Sequence, residues 1–105
     1  DKAFKDISIS TPYVSSKNIS TFHLYVVRVS EKIASKNQRY FYQMLRNNNI
    51  LVNLHYIPVY RHPYYQSLGF KKNYCSEAES YFQECISLPI YPYLVKRLLI
   101  KSVIY

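Results

Sequence analysis

Glycine is almost missing from this chain, with one in 105 residues, and tryptophan is missing altogether. A phosphate cradle built from a loop needs several glycines, so neither a P-loop nor a dinucleotide fingerprint can be formed here. Cysteine is scarce too. Cys75 and Cys85 stand ten positions apart with no CxxC pair, which matches neither zinc nor thioredoxin-type redox spacing and reads as two reduced thiols. No N-terminal apolar stretch resembles a signal peptide, and no run approaches the ~20 apolar residues of a membrane span. The sequence opens on Asp1 rather than Met, which reads as a fragment or a processed product. Basic runs go no further than Lys71-Lys72 and Lys96-Arg97, so there is no basic arm of the kind that grips nucleic acid.

What is present fits one globular domain. The length supports a single modest core, and 49% hydrophobic residues argue against disorder. The net charge of +8 is spread along the chain and suits anionic partners without naming one. Thirteen tyrosines accompany many Asn, Ile, Lys and Ser residues, a bias that reads as composition drift rather than a stacking platform.

Local patterns give the order β–β–α–β–α–β–α, an α+β layer. Ile7–Ser10 alternates like a short strand, and residues 1–20 otherwise read as a linker-like segment preceding a domain over 21–105. Phe22–Val29 is aromatic and β-branched, which predicts a strand. A helix is expected from Ser30-Glu31 to about Asn48, with Ile33, Tyr40 or Phe41, Met44 and Leu45 on one face. Asn47-Asn48-Asn49 ends it, because asparagine tolerates the left-handed backbone that glycine usually supplies. Ile50-Leu51-Val52 then reads as a buried strand. The sequence places a turn at Tyr64-Tyr65 and a capping box at Ser76–Glu79 ahead of a helix to Cys85. Ile86-Ser87-Leu88 follows as a strand, and Pro92 starts a last apolar helix.

The chemistry concentrates in Ile50–Tyr65, where a strand runs out through Pro58 into a loop crowded with His, Arg and Tyr. That arrangement presents polar groups to a ligand; an edge strand closed by aromatic packing reads the same residues equally well. His23, His55 and His62 could each act as a base, but no Ser or Cys stands in a nucleophile setting. His55 and His62 match no compact metal motif.

Several of these segments, in order, resemble the C-terminal region of the DegT/DnrJ family. They are His23–Arg28, Arg39, His55-Tyr56-Ile57-Pro58, Tyr64-Tyr65, Leu68-Gly69, Ala78-Glu79 and Ser87-Leu88-Pro89-Ile90. The family comprises pyridoxal-phosphate-dependent aminotransferases acting on nucleotide-linked keto-sugars. The likeness covers about residues 20–105 and is greatest to enzymes that aminate a UDP-linked 4-keto-6-deoxy sugar on the way to pseudaminic acid. Asn49 replaces the family's usual glycine. The resemblance implies the small C-terminal domain of an aspartate-aminotransferase-like (fold type I) enzyme, a short antiparallel sheet covered by helices. The Schiff-base lysine, the phosphate-binding residues and the acid facing the pyridine nitrogen lie upstream in the family, and Lys2, Lys5 and Lys17 lack the lysine's context. PLP is therefore expected in the parent enzyme and not on this chain alone.

By the same resemblance the parent is a cytoplasmic homodimer that moves an amino group from an amino acid, glutamate, to the sugar ketone. The small domain closes one wall of the pocket, with His55 reaching in and Tyr56, Arg61 and His62 beside it to meet hydroxyls or phosphate. The alternative is a non-catalytic basic module that binds anionic ligands, either nucleotide sugar or nucleic acid. The resemblance favours the sugar and implies neither nucleic acid nor membrane as partner.

Overall fold

A computed structural model describes residues 9–30 and 36–91. Two strands, β1 (Tyr25–Arg28) and β2 (Cys85–Leu88), pair antiparallel with Tyr25 opposite Leu88 and Arg28 opposite Cys85. Single bridges extend the array on both sides, Ser10 to Arg28 and Asn53 to Ser87. The order across the array is thus Ser10, β1, β2, Asn53. Three helices join the strands: α1 (Gln38–Asn47), α2 (Pro63–Ser67) and α3 (Ser76–Glu84), with a 3-10 turn at Val59–Arg61. The α+β layer with a short antiparallel sheet and helices is as the sequence implied.

The period of two along a strand divides the sheet into two chemically different faces. Val27, Ile86 and Leu88 point one way and form the core with Val29, Leu45, Ile50 and Val52; Phe41 and Met44 of α1 pack against it. Arg28, Cys85 and Ser87 point the other way. There Arg28 is ion-paired to Glu84 at 2.7 Å, and its guanidinium lies over the Tyr81 ring of α3.

The asparagine stop works as expected. Asn49 takes φ +61°, its N–H donates to the Arg46 carbonyl at 3.0 Å, and the Ile50 N–H donates to the Leu45 carbonyl at 2.9 Å. This pair of bonds is a Schellman motif, completed by burial of Leu45 and Ile50 in the same core. Gly69 (φ +94°) ends α2 the same way, with the Phe70 N–H returning to the Tyr65 carbonyl.

Five local expectations are corrected. The helix predicted from Ser30-Glu31 begins at Gln38, because Asn37 takes extended backbone and its side chain accepts from the Tyr40 N–H; residues 31–35 lie outside the described ones. The strand predicted over Phe22–Val29 is shortened to Tyr25–Arg28, since Phe22 adopts φ +47°. Ile50-Leu51-Val52 alternates in burial but forms no ladder, as the Val52 N–H bonds the Ile50 carbonyl. The Tyr64-Tyr65 turn is helical, with Pro63 in its first turn. The capping box does not form: Cys75 is the N-cap, Ser76 is already helical, and the Glu79 carboxylate bonds elsewhere. Ile7 and Ser8 of the expected Ile7–Ser10 strand and the whole helix after Pro92 fall outside the described residues. No helix among the described residues is long and apolar enough to cross a membrane.

Candidate functional site

Asn53–His62 leaves the sheet along β2 and becomes the loop that carries the site. Asn53 exchanges both backbone hydrogen bonds with Ser87, at 2.8 and 3.1 Å. His55, two residues on, lies on the same side of the chain as Asn53 and so comes diagonally beside Ser87. Its Nδ1 is 2.8 Å from Ser87 Oγ, and its carbonyl receives the Cys85 Sγ–H at 3.8 Å. The His55–Tyr56 peptide is cis, and the two rings meet at 4.6 Å between centroids. His55 is half-buried, whereas Tyr56 is 72% exposed.

Beyond the buried Pro58 the chain turns toward α3. Arg61 Nε donates to Glu79 Oε1 at 2.9 Å, and its Nη2 pairs with Glu79 Oε2, giving a fork-on-fork contact. Glu79 is buried, and the Asn73 N–H also reaches its Oε1 at 3.3 Å. The hydrogen bond from Arg61 is the chief reason that the Glu79 carboxyl is held below its ordinary range. The guanidinium also lies 5.3 Å above the Phe82 ring centroid. Tyr60 donates to the Cys75 carbonyl at 3.0 Å, closing a second tie to the start of α3. Behind these ties Tyr60, Tyr74, Phe70, Tyr65 and Tyr64 form a chain of edge and tilted ring contacts.

Of the four predicted site residues, His55 and Tyr56 are brought together. His62 stands exposed just ahead of α2 with no side-chain capping bond. Arg61 is turned inward, and two of its nitrogens are occupied by Glu79. Sequence reasoning assigned no role to Ser87 and gave Glu79 to a helix cap. It also passed over Gln38, whose amide donates to the Phe82 and Cys85 carbonyls (2.8 and 2.6 Å) and so satisfies the end of α3. Only the pairing of Ser87 with the loop could have exposed the first; the other two contacts span 18 and 44 residues and leave no local signal.

The geometry is thus a polar loop carried on the edge of a small antiparallel sheet and backed by helices. The family comparison makes this specific. The profile of the DegT/DnrJ/EryC1/StrS aminotransferase family matches residues 1–103, and the chain belongs to that family. It is 38% identical over 93 residues to the spore coat polysaccharide biosynthesis protein SpsC of Bacillus subtilis, covering 86% of this chain and 24% of that protein. It is 32% identical over 90 residues to the UDP-4-amino-4,6-dideoxy-N-acetyl-beta-L-altrosamine transaminase of Helicobacter pylori, covering 85% and 24%. The chain thus spans about a quarter of the length of the curated relatives it matches.

Solved structures agree in fold, and they are fold type I sugar aminotransferases. Helicobacter pylori PseC, described as an aminotransferase of pseudoaminic acid biosynthesis, superposes with a TM-score of 0.82 at 26% identity, covering 98% of this chain and 28% of that one. The sugar aminotransferase Spr1654 of Streptococcus pneumoniae, in its PMP form, gives 0.84 at 24% identity, covering 98% and 26%.

The family implies PLP in the full-length enzyme, but the described residues here do not fit that group. Lys17, Lys36, Lys71 and Lys72 are all exposed, so none is a sheltered amine able to take up an aldehyde. A Cβ added to Gly69 would meet nothing within 4 Å, so the one glycine is a helix stop rather than a close backbone approach to a phosphate. Among the described residues no three His, Cys, Asp or Glu side chains gather as a metal site requires.

Proposed function

We propose that this chain is the small domain of a PLP-dependent aminotransferase that passes an amino group from an amino acid, glutamate, to a nucleotide-linked 4-keto-6-deoxy sugar in surface glycan synthesis. The observation that carries the reading is the match over 85% of the chain to a transaminase named for a UDP-linked amino sugar. That match spans 24% of the transaminase's length, and the chain supplies only part of the work. Cofactor and lysine belong to the rest of a cytoplasmic, homodimeric enzyme, and the 105 residues alone are inactive.

In this reading the domain over 21–105 supplies one wall of the sugar-nucleotide pocket. His55, fixed at the sheet edge, and the exposed Tyr56 and His62 offer hydrogen bonds to sugar hydroxyls or phosphate oxygens. Arg61 contributes by holding the loop to α3 through Glu79, with its positive charge remaining close to the anionic ligand.

The first test is the coding DNA upstream of Asp1. An in-frame large domain with a Schiff-base lysine is expected, and the whole protein should aminate a UDP-linked 4-keto-6-deoxy sugar at the expense of glutamate. A start codon directly ahead of Asp1, with the short product as the mature protein, contradicts the proposal.

A further inference from the structure

We infer that Ser87 is a positioning residue that fixes both the direction and the tautomer of the His55 ring, an inference that rests on the substrate-binding reading of His55. Ser87 sits in β2 with its residue buried, held by both backbone bonds to Asn53. Its side chain makes one hydrogen bond among the described residues, to His55 Nδ1 at 2.8 Å. A buried hydroxyl needs an acceptor for its hydrogen, and among the described residues Nδ1 is the side-chain partner it meets. The hydroxyl therefore donates, Nδ1 accepts, and the neutral ring carries its hydrogen on Nε2. That nitrogen lies across the ring from Ser87 and has no protein partner among the described residues. The site thus presents an N–H donor, suited to an acceptor: a sugar hydroxyl oxygen or a phosphate oxygen of the nucleotide.

The geometry also explains why a serine serves here. The diagonal neighbour of His55 lies on the sheet face opposite the apolar core, where the small side chain leaves room for the imidazole. A hydroxyl there meets the ring nitrogen directly; a methyl would leave Nδ1 without its donor and the ring free to turn.

The experiment uses the whole protein as its gene encodes it, with 15N-labelled histidine. In the parent, His55 should show an unprotonated, hydrogen-bonded Nδ1 and a protonated Nε2. Ser87→Ala should shift the Nδ1 resonance and raise the KM for the nucleotide sugar about fivefold, the scale of one hydrogen bond, with kcat within about twofold. Ser87→Thr, which keeps the hydroxyl, should restore both. In a His55→Ala background Ser87→Ala should add nothing further to KM. An unmoved Nδ1 resonance in Ser87→Ala, a protonated Nδ1 in the parent, or an undiminished KM effect without His55 overturns the inference. If His55→Ala alone leaves KM unchanged, the substrate reading fails instead, and the resonance still decides whether Ser87 orients the ring.

Discussion

At the scale of single residues, the two cysteines separate cleanly. Cys85 is fully buried, and burial pushes its thiol above the ordinary value, whereas Cys75 is exposed at the start of α3. Alkylation of the native protein with iodoacetamide should modify Cys75 and spare Cys85 until the fold is opened; mass spectrometry of the peptides reads this. The Arg61–Glu79 pair makes a second residue-scale prediction. Because the folded state lowers the Glu79 pKa below its ordinary 4.5, the stability it contributes is fully present above about pH 4.5. It is lost as pH falls through the depressed folded value. Glu79→Gln should therefore lower the melting temperature at pH 7 and flatten the acid side of the stability profile. An unchanged acid slope would mean that the pair contributes nothing to folding.

At the scale of elements, the helix stop at Asn49 was legible because it depends on one residue's backbone tolerance, and the structure puts Asn49 at φ +61°. Asn49→Gly should leave the melt nearly unchanged, while Asn49→Val should cost about 1–2 kcal/mol by forcing a branched side chain into the left-handed region. Leu45, which is buried and anchors the same motif, should cost about 2–5 kcal/mol on replacement by Ala. Strand β2 was legible from Ile86-Ser87-Leu88. The capping box was not, since a Ser–x–x–Glu pattern does not reveal that an arginine 18 residues away offers the glutamate two donors. The Ile50-Leu51-Val52 strand was misread for a similar reason. Its burial alternates as a strand's would, but a local bond from Val52 to Ile50 takes the donor that a ladder needs. Of the site, the loop and its histidine were visible in composition and motif; the buried contacts that aim them were not, because each joins residues distant in sequence.

At the scale of the whole molecule, the sheet sorts the chemistry. One face buries the core under α1, and the other carries Arg28, Ser87 and the loop anchored beside them. Leu51, Tyr56, Val59, Tyr64 and Leu68 all remain exposed between positions 51 and 68, and exposed apolar side chains favour association. The 105-residue chain produced alone should consequently self-associate in sedimentation experiments, and a monodisperse monomer at high concentration would argue against this. With the family established and the loop seated on β2, the central claim is that His55 meets the sugar nucleotide. The most direct measurement is the steady-state kinetics of His55→Ala in the intact enzyme, titrating the UDP-linked keto-sugar at saturating amino donor. The account predicts a raised KM for the sugar and an unchanged KM for the donor; unchanged sugar kinetics would contradict it.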